Sequence, residues 1–209
     1  MIEIRKSEYR ENVEAFAIAV VTILFIVIFI AQSFLVKGTS MEPTLHDGER
    51  LIVNKYIYRF RLPRTGDIIV FKYPGDPSKK FIKRVIGEPG DTVWIEDATL
   101  YVNGRALDEP YILEEMDSDF EQVTVPRDAI FVLGDNRNGS RDSRYSDVGF
   151  VPLENVVGKA IFVFWPLSEV TVLVNPHNGK DYFGCRGYSD SFRIPDPVSI
   201  DLFKNQSLY

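Results

Sequence analysis

Leu100-Tyr101-Val102-Asn103-Gly104-Arg105-Ala106-Leu107 is the stretch that decides the fold. Two short β-prone runs flank Asn-Gly, the strongest short-range hairpin signal, because both turn residues accept the positive φ that a tight two-residue turn demands. Working outward, short segments rich in β-branched and aromatic residues recur between Gly, Pro and Asp. Strands are expected at Leu51 to Asn54, Asp67 to Lys72, Phe81 to Ile86, Thr92 to Glu96, Val123 to Val125, Ala129 to Leu133 and Gly158 to Phe164. No internal repeat, low-complexity tract or long amphipathic helix separates them. The pattern predicts a mainly β fold of antiparallel sheets, as two sheets or a partly open barrel. The more acidic stretch of about 91–128, which holds the hairpin, is expected to be a small inserted β subdomain.

The N-terminal part reads differently. Ala15 to Val36 is an uncharged apolar run. As one helix it would rise roughly 33 Å, enough to cross a hydrocarbon core of about 30 Å. Ala31-Gln32-Ser33 offers a small-x-small site for a cleavable signal peptide, but apolar character continues through Phe34, Leu35 and Val36, beyond that cut. A signal h-region is typically only about 7–15 residues, so a permanent anchor is the better reading. The expected organisation is an N-terminal cytoplasmic tail (1–14), a transmembrane helix (15–36), a main β domain (37–174) and a C-terminal tail (175–209). Arg5, Lys6 and Arg10 precede the span and Lys37 follows it, which favours a cytoplasmic N-terminus and an extracytoplasmic domain. Counting on to Arg50 and Lys55 nearly evens that balance.

Composition narrows the partners. A net charge of -6 argues against nucleic acid, which would call for a strongly basic face. The single cysteine, Cys185, forms no intramolecular disulfide, and His46 and His177 are too isolated to suggest a metal site. No metal or organic cofactor is expected.

Three segments could carry chemistry. Gly38-Thr39-Ser40-Met41-Glu42-Pro43-Thr44-Leu45 sits just past the apolar run, which pins Ser40 near the membrane surface. A serine in such a context often does no more than start a turn, and as a nucleophile it needs a base. In Phe81-Ile82-Lys83-Arg84-Val85-Ile86-Gly87, strand alternation gives Lys83 the same face as Phe81 and Val85. Desolvation there would lower its pKa toward neutrality, although an edge-strand lysine that blunts aggregation would look the same. Arg84 sits equally between Ile82 and Ile86, but arginine cannot be deprotonated, so Lys83 is the only candidate base of the two. The third segment, Gly134-Asp135-Asn136-Arg137-Asn138-Gly139-Ser140-Arg141-Asp142-Ser143-Arg144, is dense in charge and turn formers. It fits either a solvated loop or a hydrogen-bonded scaffold beside a site.

In this order, behind an N-terminal anchor, the segments resemble the bacterial type I signal peptidases, or leader peptidases. Ser40-Met41-x-Pro43-Thr44-Leu45 is similar to their nucleophile box, Gly66-Asp67-Ile68-Ile69-Val70-Phe71 to the next strand, and Lys83-Arg84-Val85-Ile86-Gly87 to the lysine box. Gly134-Asp135-Asn136-Arg137 with Ser140, Asp142, Ser143 and Arg144 is similar to the last box, and the resemblance runs to about Pro166. It implies a membrane-bound serine endopeptidase that cuts signal peptides from exported preproteins after an Ala-x-Ala-like site. By position Ser40 is the nucleophile and Lys83 the general base, Ser140 holds the lysine amine, and Asp142 and Arg144 brace the loop. At Gly38 some members carry a serine whose hydroxyl joins the oxyanion hole; here that donor is absent, which leaves the Ser40 N–H. The implied partners are preproteins with signal peptides and the lipid bilayer. Three rivals remain: a self-cleaving Ser–Lys repressor-type protease, which would need a DNA-binding module, a non-catalytic anchored adaptor, and a Ser-His-Asp hydrolase, against which His46 lies only six residues from Ser40 and no G-x-S-x-G elbow surrounds the serine.

Overall fold

The computed structural model describes residues 8–29 and 31–177. A helix, α1 (Glu8–Phe29), is followed by twelve strands. These are β1 (Ala31–Leu35), β2 (Arg50–Asn54), β3 (Ile68–Tyr73), β4 (Asp76–Gly87), β5 (Thr92–Glu96) and β6 (Thr99–Val102). Then come β7 (Arg105–Ala106), β8 (Phe120–Thr124), β9 (Ala129–Leu133), β10 (Val151–Pro152), β11 (Val156–Trp165) and β12 (Thr171–Val172).

Two antiparallel sheets result. The larger is eight-stranded, in the order β1-β2-β11-β3-β4-β9-β10, with β12 also paired to β11. The smaller has the order β7-β6-β5-β8. It falls within the stretch expected as an insertion. The Asn103-Gly104 hairpin joins β6 to β7, with φ of 52° and 80° at its two turn residues. Val93, Ile95, Leu100 and Val102 of this sheet pack with Ile86, Phe131 and Leu133 of the larger one, so the two sheets share a core. Gly87 lies at that junction: a Cβ there would lie 2.8 Å from Val93 Cγ2 and 2.9 Å from Val125 Cγ2.

The apolar run departs from the single helix expected over 15–36. The helix starts earlier, at Glu8, and stops at Phe29; Ala31–Leu35 is instead the edge strand β1, paired to β2 from Ala31↔Asn54 to Leu35↔Arg50. Phe34 and Val36 are buried in the core with Leu51, Val53 and Val163. Burial in the sheet and ladder hydrogen bonds outweigh a helical preference that rested on apolarity alone. Among the described residues no helix is long and apolar enough to cross a membrane. Of the expected C-terminal tail, residues 178–209, including Cys185, lie outside the described residues. Its first residue belongs to the domain: Asn175 is buried and donates to Thr65 O at 2.9 Å and Asp67 Oδ1 at 3.0 Å.

Candidate active site

The Ser40 segment is fastened by its neighbours. Met41 and Leu45 are fully buried, and Leu45 N donates to Met41 O at 2.9 Å, so the intervening turn is anchored at both ends. Ser40 is left half-buried at its edge. Lys83 comes from the middle of β4, with Ile69 of β3 as its register partner. Alternation places it on the face of Phe81 and Val85, which pack with Ile69, Ile130 and Val132.

The two residues meet. Lys83 Nζ lies 2.6 Å from Ser40 Oγ and 3.0 Å from Ile82 O. The lysine is 2% exposed, and its ammonium lies 5.6 Å from the centroid of the Phe81 ring. Burial strips water from the charged form and pushes its pKa down to about 8, although Asp142 and Asp135 pull the other way. At neutral pH a useful fraction of such an amine carries a free electron pair.

The polar loop after β9 presses against the back of the serine. Asn136 N–H donates to Ser40 O at 3.2 Å, and Asn136 Nδ2 to Thr39 O at 3.3 Å. Gly134 leaves no spare room: a Cβ there would stand 2.4 Å from Ser40 O and 2.2 Å from Ser140 Oγ. Asp142 is buried; it accepts two hydrogen bonds from the Arg144 guanidinium, at 2.8 and 2.9 Å, one from the Arg144 N–H at 3.4 Å and one from Gly134 N–H at 3.1 Å. Arg144 also donates to Arg137 O, closing the loop on itself. Ser143 exchanges hydrogen bonds with the Val132 backbone and ties the loop to β9.

Two expected roles look different in place. Ser140 is buried beside Gly134, but its Oγ has no hydrogen-bond partner among the described residues, so the expected hold on the lysine amine is not made here. The amine uses Ile82 O instead. Gly38 has φ +86° and its N–H donates to Asp47 Oδ1 at 2.7 Å. That backbone donor is therefore taken. The Ser40 N–H has no partner among the described residues.

A further constellation was not singled out from the sequence. Arg84, next to the lysine and on the opposite face of β4, makes a two-pronged pair with Asp135: Nε to Oδ1 at 2.8 Å and Nη2 to Oδ2 at 2.6 Å. Thr44 Oγ also donates to Asp135, and the Arg84 guanidinium stacks 3.8 Å from the Tyr111 ring centroid. Glu109 pairs with buried Arg137, so the segment before β8 reaches the same place from the inserted stretch. The only available signal was the Arg84 alternation between Ile82 and Ile86.

Comparison with known proteins places the chain in a family. Residues 9–165 match the family described as signal peptidase, peptidase S26. Signal peptidase I of Bacillus licheniformis is 42% identical over 177 residues, covering 79% of this chain and 94% of that protein. Signal peptidase I T of Bacillus subtilis (strain 168) is 41% identical over 177 residues, covering 79% and 90%. Signal peptidase IB of Staphylococcus aureus (strain MRSA252) is 37% identical over 194 residues, covering 84% of this chain and all of that one. The fold and these likenesses define a serine endopeptidase. The chain belongs to the signal peptidase family, peptidase S26, and its reaction is the cleavage of signal peptides.

Proposed function

We propose that Ser40 and Lys83 perform this cleavage as a nucleophile–base dyad. The observation that carries the reading is the 2.6 Å approach of Nζ to Oγ in a site that keeps the lysine nearly free of water. Neutral Lys83 takes the Ser40 proton as Oγ attacks the scissile carbonyl. The resulting lysinium then protonates the leaving amine, and an acyl-enzyme ester remains. Water then attacks the ester as neutral Lys83 takes its proton, and the lysinium returns that proton to Ser40 Oγ as the C–O bond breaks and the acid leaves. The Ser40 N–H, free of other duties, is the donor for the tetrahedral oxyanion. Asp142 and Arg144 hold the loop that backs the serine, and Ser140 sets the wall behind it.

The substrate lies extended beside β4. That strand pairs with β9 only from Arg84 to Gly87, so its stretch before Arg84 has an open edge leading to Lys83. A preprotein can add a strand there and place its cleavage site at Ser40. Small side chains of the Ala-x-Ala kind fit a site built this tightly.

The domain works at a membrane surface, with α1 and the uncharged run after Glu14 as its anchor, the N-terminus cytoplasmic and the domain extracytoplasmic. Support comes from the described side chains of α1 after Glu14, which from Ala15 to Ile23 are all uncharged and exposed, Phe16 (72%) and Val21 (65%) among them. A helix apolar on its exposed faces calls for an apolar surrounding.

The test is to incubate detergent-solubilised protein with a preprotein. Ser40→Ala and Lys83→Ala should each abolish cleavage while leaving the fold intact by circular dichroism. Leucine in place of the alanine before the cut should block the parent enzyme. Full activity in either single variant would falsify the dyad.

A further inference from the structure

Lys55 to Arg64 reads Lys-Tyr-Ile-Tyr-Arg-Phe-Arg-Leu-Pro-Arg, without a carboxylate, in a chain whose net charge is -6. The catalysis proposed above does not use it. Yet the loop is tightly fastened. Asn54 Oδ1 accepts the Tyr56 and Ile57 N–H groups at 2.9 and 3.1 Å, and Ile57–Arg59 forms one 3-10 turn. The Tyr58 hydroxyl and Arg61 donate to buried Asp67 at 3.2 and 2.8 Å, and Lys159 holds the same carboxylate from β11 at 2.7 Å.

Held this way, the tip turns outward. Phe60 is 85% exposed and Leu62 53%. Arg59 and Arg64 are exposed beside them, and among the described residues neither these two nor Lys55 pairs with a carboxylate. Arg59 rests its guanidinium 4.9 Å from the Tyr56 ring centroid. The hydrogen bonds that order this loop thus keep its apolar tip out of the protein's own core.

Its position gives the tip an occupant. Asn54, the last residue of β2, is the register partner of Ala31, the first residue of β1, and α1 ends at Phe29. The loop therefore leaves the sheet at the point where the helix joins it. We infer that residues 55–64 form a second membrane contact, with Phe60 and Leu62 entering the headgroup boundary of a bilayer and Lys55, Arg59 and Arg64 facing anionic lipid phosphates. The inference rests on α1 being the anchor. Aromatic and aliphatic side chains favour that boundary, and long basic side chains reach phosphates while their stems stay against apolar surface. Each basic residue near an anionic surface is worth about a fivefold gain in residence there.

The experiment uses the full chain carrying Cys185→Ser and Phe60→Cys, labelled with a polarity-sensitive fluorophore and reconstituted in vesicles rich in phosphatidylglycerol. Glu121→Cys, on exposed β8, is the control site. Flotation of the protein with the vesicles reads the anchor; quenching by brominated lipid reads the loop. The Phe60 label should be blue-shifted and quenched and the Glu121 label not. Arg59→Gln should lower the quenched population about fivefold without changing flotation. Protein that floats with an unquenched Phe60 label overturns the loop contact and leaves the anchor standing. Protein that does not float overturns both. Equal quenching in purely phosphatidylcholine vesicles overturns the role given to the basic residues.

Discussion

Arg84 and Asp135 form a buried, two-pronged ion pair immediately beside the Ser40–Lys83 contact, 2% and 0% exposed at their side chains. Asp135 is also held by Thr44, four residues past the serine, so the pair joins β4 to the nucleophile segment and to the loop after β9. Removing one partner leaves a buried charge without compensation, which costs about 3–5 kcal/mol. Arg84→Ala is therefore expected to lower stability by that amount in chemical denaturation. Arg84→Met combined with Asp135→Leu should lose less than either single change. A double variant whose loss equals the sum of the singles would show that the pair does not act as a unit.

The rate should follow the proton on Lys83. Because burial brings its pKa to about 8, kcat/KM should rise through the mildly alkaline range and level off above it. The value at pH 7 is expected to be about a tenth of the plateau. Rate measurements on one peptide substrate across the range, with chemistry limiting, decide this. A flat profile would remove Lys83 as the titrating base.

Stability should depend on the same proton. The folded pKa of Lys83 lies below the ordinary 10.5, so between about 8 and 10.5 the native state binds fewer protons than the unfolded chain. Stability therefore rises with pH across that window, and below it the cost of burying the ammonium is fully present. Lys83→Met lifts that cost. The variant should be inactive yet more stable than the parent by about 3 kcal/mol below pH 8, with the difference fading between about 8 and 10.5 and gone above it. Thermal melts of both proteins at pH 7 and pH 10.5 would show it; a methionine variant less stable at pH 7 would contradict it.

At Gly38 the space is open but the backbone is not. A Cβ there would meet no atom within 4 Å, yet φ is +86°. Any L side chain then costs about 1–2 kcal/mol through the backbone alone. Gly38→Ala and Gly38→Ser should be destabilised about equally, with kcat/KM of the serine variant within about tenfold of the parent, a span of roughly 1.4 kcal/mol. A gain confined to serine would mean that its hydroxyl reaches the oxyanion.

Much of the β architecture was legible because its strands advertise themselves. Ile68, Val70, Ile82, Val93 and Val132 are β-branched residues that the sheets bury, and Asn103-Gly104 forms the expected turn. The neighbouring turn at Asp97-Ala98 has positive φ at both residues too, at 48° and 59°, but alanine gives no hint of it. Strand β1 hid inside the apolar run, since a short uncharged segment looks alike as helix or buried strand; only Gln32 and Ser33 hint at a change. The segments around Ser40 and Lys83 marked them out in sequence, and the structure brings their side chains together. The Arg84–Asp135 pair was not legible, because no local rule links residues so far apart in sequence, and the same holds for Asn175 on Thr65 and Asp67.

One residue of sequence, Ile30, separates α1 from β1, and in any conformation one residue reaches at most about 3.5 Å. With α1 as the proposed anchor, the first strand of the larger sheet therefore begins at the anchor's end, and the sheet continues through β2, β11 and β3 to β4, which carries Lys83. The blade of this molecule is then mounted close under its handle, and the polypeptide to be trimmed has to come to the bilayer to meet it.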